Sequence, residues 1–140
     1  MRGARPERAL DAMVRRTFRP VPGSRVIVAC SGGPDSVGLA SVLDRLARED
    51  AYEPILAHVD HGVRPHAAQD ECVVLSVAAR LDRGLRIARV TPGRPDEESL
   101  RDARYAALAE IARIEGAAFV VTAHTAEDQT ETVLLALFRG

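Results

Sequence analysis

The chain has no lysine, no asparagine and no tryptophan, and aromatic residues fill 4% of its 140 positions. Without lysine there can be no G-x-x-x-x-G-K-[ST] phosphate loop, which needs an ammonium to reach the β- and γ-phosphates. A G-x-G-x-x-G dinucleotide fingerprint is also absent. The two cysteines, Cys30 and Cys72, lie far apart and outside any C-x-x-C arrangement. Both are expected to act as small hydrophobes, which fits a reducing cytoplasm. No apolar run approaches the length of a membrane span. The arginine-rich start is interrupted by Glu7 and Asp11 and lacks an apolar core, so no signal peptide is expected. The 19 basic residues are all arginine and face 20 acidic ones, for a net charge of −1. That balance gives no global nucleic-acid signature, so any RNA contact would come from a local patch.

The chain is organised around Ser31-Gly32-Gly33-Pro34-Asp35-Ser36, between the apolar run Val26–Cys30 and an amphipathic stretch from Val37 to Leu46. That order predicts strand, tight turn, helix. Adjacent glycines permit positive φ and close approach of backbone N–H groups to a ligand, and Ser31 and Ser36 add hydroxyls. A helix opening at Pro34 or Asp35 brings unpaired N–H groups and the positive end of its dipole to the same spot. A polyanion, above all a phosphate chain, is expected there.

Along the chain, residues 7–18 place Leu10, Met13, Val14 and Phe18 at helical spacing, and Pro20, Pro22 and Gly23 close that helix. Strands are expected at 25–30, 55–59, 85–90 and 118–122. The helices between them carry inner stripes of Leu39, Val42, Leu43 and Leu46, then Cys72, Val73, Val77 and Leu81, then Leu100, Ala103, Ala107, Ile111 and Ile114. Gly116 ends the third of these, and a last helix is expected from His124 through Phe138. Four strands alternating with helices imply an α/β fold, a parallel sheet with helices on both faces. Its ligand should sit at the carboxyl ends of the strands, and each polar motif of the chain follows a strand. With strand order 3-2-1-4, Ser31–Ser36 and His124–Glu131 would face each other across the switch point. The whole chain reads as one domain, with 1–23 an N-terminal helix and linker and 24–140 the α/β core.

Several side chains invite a chemical role beside a plain one. Asp35, next to the phosphate turn, either holds a divalent cation or caps the helix. Asp128 and Glu131, three apart on the expected helix, would share one face and either complement its dipole or serve a substrate amine or proton. Arg101 and Arg104 suit a solvated helix face, yet Arg104 could reach a phosphate or carboxylate with its planar fork. His58, Asp60 and His61 have the residue types of a zinc site, against which His58 would line a nucleotide pocket.

Taken together, SGGPDS (31–36), HVDHGVR (58–64), ESLRDARY (98–105) and HTAEDQTET (124–132) resemble the tRNA(Ile)-lysidine synthase family of PP-loop ATP pyrophosphatases. The resemblance covers about residues 24–140. It implies the adenine-nucleotide alpha-hydrolase-like fold, cut short here after the fourth strand and its helix. It also implies an ATP- and Mg2+-dependent ligase acting on a tRNA(Ile) with a CAU anticodon. ATP would adenylate the C2 position of the wobble cytidine, and free L-lysine would displace AMP to give lysidine. By the same resemblance Ser31, Gly32, Gly33, Pro34, Asp35 and Ser36 hold ATP, with Ala29, His58 and His124 alongside and Asp35 at the metal. Asp35, Arg104, Asp128 and Glu131 would be the catalytic set. The alternatives are a PP-loop tRNA thiolase and a non-catalytic nucleotide-binding module.

Overall fold

A computed structural model describes the backbone of residues 6–62, 65–126 and 129–136, and the side chains of residues 7–62 and 65–123. The helices are α1 (Pro6–Thr17), α2 (Pro34–Asp50), α3 (Ala67–Leu81) and α4 (Glu97–Glu115). The strands are β1 (Arg25–Ala29), β2 (Glu53–Asp60), β3 (Leu85–Arg89), β4 (Phe119–Ala126) and β5 (Gln129–Ala136). They form one sheet of order β3-β2-β1-β4-β5, in which the first four strands run parallel. The expected 3-2-1-4 order is therefore observed. Val26, Ile27 and Val28 of the central strand are 0% exposed, as a strand covered on both faces requires.

Strand alternation sends Val26, Val28, Leu56 and Val121 to one face, where α2, α3 and α1 pack through Leu39, Leu43, Leu46, Val77 and Val14. Ile27, Ile55, Ala57 and Val120 point to the other, covered by Leu108 and Ala112 of α4. Phe18, just past α1, packs edge-to-face on Tyr52 and Phe119, with ring centroids 5.7 and 5.4 Å away. Arg15 adds ion pairs to Glu49 and Asp50 at the end of α2.

Three expectations are corrected. The inner stripe of α3 is Val74, Val77 and Ala78, while Cys72 and Val73 are exposed. The run Cys72-Val73-Val74-Leu75 is apolar all round, so periodicity alone could not fix its phase. On α1, Val14 and Phe18 are buried but Leu10 and Met13 are exposed; on α4, Ile114 is exposed. The third concerns the segment expected to open a last helix. Its described part, Gln129–Ala136, is a strand paired antiparallel to β4. Thr130, Thr132 and Val133 are β-branched and favour extended backbone. β5 also pairs the edge that β4 would otherwise leave open.

Candidate functional site

β1 leads into the Gly/Ser turn. Gly32 takes φ +94°, and a Cβ there would lie 2.9 Å from the carbonyl oxygen of Asp70 in the first turn of α3. The turn is therefore clamped against a neighbouring helix, and only glycine fits. Gly33 has φ −77° and ψ 161° and is the N-cap of α2, with Pro34 at the first helical position and no side-chain cap. The positive φ thus belongs to the first glycine alone. The hydroxyls brace the turn: Ser36 Oγ accepts from the Ser31 N–H at 3.1 Å and lies 3.1 Å from the Gly33 carbonyl, to which it donates. The Gly33 N–H donates to Ser31 Oγ at 3.3 Å. The first intrahelical bond runs from the Val37 N–H to the Gly33 carbonyl at 3.1 Å, so the positive end of α2 opens at the turn. Asp35 lies exposed in that first turn, and with Gly33 as N-cap the capping role is set aside.

The turn borders a cleft at the carboxyl ends of β1, β2 and β4, where the chain switches direction across the sheet. Of the residues singled out in the sequence, Ala29, Cys30, Ser31, Ser36, His58, Asp60, His61 and Arg104 line it. Gly32, Gly33, Pro34 and Asp35 form the turn and helix start at its border. His124 and Glu131 are register partners in the β4–β5 ladder, and their side chains are not among those described. Asp128 lies outside the described residues. The reading of Asp128 and Glu131 as neighbours on one helical face falls, because Glu131 is in a strand.

His58 is buried, and its Nδ1 lies 2.9 Å from the carbonyl oxygen of Cys30. A carbonyl can only accept, so Nδ1 carries the proton and the imidazole ties β2 to the start of the turn. Arg104 differs from its neighbour Arg101. Both guanidiniums stack on Tyr105, at 5.6 and 5.5 Å from the ring centroid, but Arg101 is exposed while Arg104 is half-buried and lines the cleft. Among the described residues no group of three or more His, Cys, Asp or Glu is placed to hold a metal, so the zinc reading of His58, Asp60 and His61 is set aside. Asp60 instead accepts from the Gly62 N–H at 2.8 Å and from Arg89 at 3.1 Å. These donors, the Gly62 N–H first, hold its carboxyl below the usual carboxylate range. Burial pushes the Cys30 thiol up, away from the reactive thiolate.

Sequence reasoning did not anticipate Asp70 or Thr122, both of which line the cleft. Asp70 is a first-turn acid like many others, and only its contact with Gly32 distinguishes it. Thr122 lies in an apolar strand where a threonine is unremarkable.

A family model described as a PP-loop domain matches residues 6–140. The chain is 39% identical over 138 residues to the tRNA(Ile)-lysidine synthase of Thermus thermophilus, covering 94% of this chain and 26% of the relative. It is 40% identical over 146 aligned positions to the enzyme of that name from Rhodopseudomonas palustris, covering 100% of this chain and 42% of the relative. The chain thus spans well under half the length of these curated relatives. Among solved structures, the U34-tRNA thiolase NcsA from Methanococcus maripaludis, determined with its [4Fe-4S] cluster, superposes with a TM-score of 0.74 at 16% identity. That likeness covers 86% of this chain and 45% of the thiolase, and it concerns the fold.

Proposed function

This chain belongs to the PP-loop domain family, and from that premise we propose that its cleft binds ATP for the adenylation of a tRNA base, with release of pyrophosphate. The observation that carries the reading is the Ser31–Ser36 turn, clamped at Gly32 and opening onto the N-terminus of α2 beside a cleft at the switch point. Backbone N–H groups and a helix dipole suit a triphosphate, and later a free pyrophosphate. Ala29 and His58 contribute to the nucleotide pocket, and His124 joins them by family resemblance. Arg104, from the far wall, meets charge that develops at the reacting phosphate.

Asp35 suits a magnesium site. It is an exposed carboxylate in the first turn of α2, beside the expected phosphates. Mg2+ usually takes one or two protein carboxylates and completes its shell with phosphate oxygens and water, so a larger acidic cluster is unnecessary. Bound there, the ion would neutralise phosphate charge.

The finer reading is a tRNA(Ile)-lysidine synthase. The substrate is the wobble cytidine of a tRNA(Ile) with a CAU anticodon, activated at C2, and the amine of free L-lysine displaces AMP to form the C–N bond. The similarity to relatives of that name supports it. The assignment of lysine to Asp128 and Glu131 rests on family resemblance rather than on helix geometry. The test is lysine incorporation into tRNA(Ile) by the full-length protein, where ATP- and lysine-dependent product is expected. Incorporation of sulfur in place of lysine would overturn the reading in favour of a thiolase.

A further inference from the structure

Thr122 follows Val121, the last residue of β4 in register with β1. By strand alternation it shares the face of Val120, the α4 side of the sheet. It is 5% exposed and lines the cleft, and its Oγ1 is buried with no hydrogen-bond partner among the described residues. A buried hydroxyl left unpaired is destabilising, and valine would supply the same shape without that cost. The hydroxyl therefore has no structural use among the described residues, and it stands in the wall of the cleft.

The surroundings indicate which part of a ligand it meets. Ala29, Ala57, Val59 and Leu108 line the cleft on the α4 side, giving small apolar walls suited to a flat ring. The phosphate turn leaves β1 through Cys30 and Ser31 and leads into α2, on the opposite side of the sheet. A nucleotide with its phosphates at the turn would lay its nucleoside end across the tip of β1 into this apolar chamber. His58 Nδ1 is engaged by the Cys30 carbonyl, and the Asp60 carboxylate by the Gly62 N–H and Arg89.

We infer that Thr122 Oγ1 hydrogen-bonds the nucleobase of the bound nucleotide and is a specificity-determining contact of the site. The inference rests on the ATP reading above. Its test is titration calorimetry on the full-length protein with three probes: ATP, inorganic pyrophosphate and 2′,3′-dideoxyATP. Thr122→Val should weaken ATP binding about tenfold, the size expected for one lost hydrogen bond in a closed site. Pyrophosphate affinity should not change, and the melting temperature should hold or rise. Thr122→Ser, which keeps the hydroxyl, should restore ATP affinity. The loss should persist with dideoxyATP, which has no ribose hydroxyls.

Unchanged ATP affinity in a folded Thr122→Val protein overturns the inference and leaves the nucleotide reading standing. So does a loss that vanishes with dideoxyATP, since the partner would then be the ribose. A lowered melting temperature with pyrophosphate binding equally weakened would assign Thr122 a structural role. If the wild-type protein binds neither ATP nor pyrophosphate, the nucleotide reading itself falls, and this inference with it.

Discussion

Gly32 and Gly33 are adjacent and chemically identical, yet the fold asks different things of them. Gly32 needs both its left-handed φ and its missing Cβ, whereas Gly33 has an ordinary extended conformation and its nearest Cβ neighbour, Ser31 Oγ, is 3.5 Å away. Gly32→Ala should therefore cost about 1–3 kcal/mol in backbone strain alone. It should also displace the turn from α3, with loss of pyrophosphate binding. Gly33→Ala should fold and bind close to wild type. Thermal unfolding and calorimetry on the two variants check this, and equal behaviour would contradict it. Asp35→Ala should leave the fold intact, because the side chain is exposed and the N-cap position belongs to Gly33, and reduce magnesium-dependent pyrophosphate release about a hundredfold or more. Near wild-type release would remove Asp35 from the reaction. The SGGPDS string was legible from the sequence because its residue types state the chemistry. Which glycine carries the positive φ was not, because that depends on Asp70, reached through a different helix.

At the level of elements, the ends of β2 and β3 and the start of α3 are joined through Arg89, which pairs with Asp60 at 3.1 Å and with Glu71 at 2.9 Å. Asp60 is held below the usual carboxylate range, chiefly by the Gly62 N–H and then by Arg89. Its ionised form is thus favoured in the folded state. The stability it contributes is complete above the unfolded carboxyl value of about 4, and is lost as pH falls through the lower folded value. Asp60→Asn should therefore be less stable than wild type at neutral pH, and the difference should shrink in acid. Denaturant unfolding of both proteins across the acid range measures it, and a gap independent of pH would contradict the account. α4 opens on Asp96, whose carboxylate accepts from the Ser99 N–H at 2.8 Å and its hydroxyl at 3.0 Å. Asp96→Ala should lower the melting temperature by a few degrees, and Asp96→Ser, which keeps an acceptor, should lower it less. α2, which opens at Pro34 and carries a clear apolar stripe, was legible in place and phase. The segment 129–136 was not, since a short apolar run beside β-branched residues suits a strand as well as a buried helix.

At the scale of the whole molecule, the parallel order β3-β2-β1-β4 brings together groups distant in sequence. Ser31 and Ser36 after β1, His58 in β2, Arg104 on α4 and Thr122 in β4 all line one cleft. The spacing of strands and helices was enough to anticipate that convergence, because parallel strands linked by helices place their following loops at one end. The inward hydroxyl of Thr122 needed the register of β4 against β1. The central claim is that this cleft holds ATP for cleavage between the α- and β-phosphates. It is tested most directly by incubating the full-length protein with tRNA(Ile), lysine, magnesium and ATP labelled at the α- or the γ-phosphate, and identifying the labelled products. The account predicts AMP from the first label and pyrophosphate from the second, both dependent on tRNA. Formation of ADP and inorganic phosphate, or release of pyrophosphate at the same rate without tRNA, would contradict it.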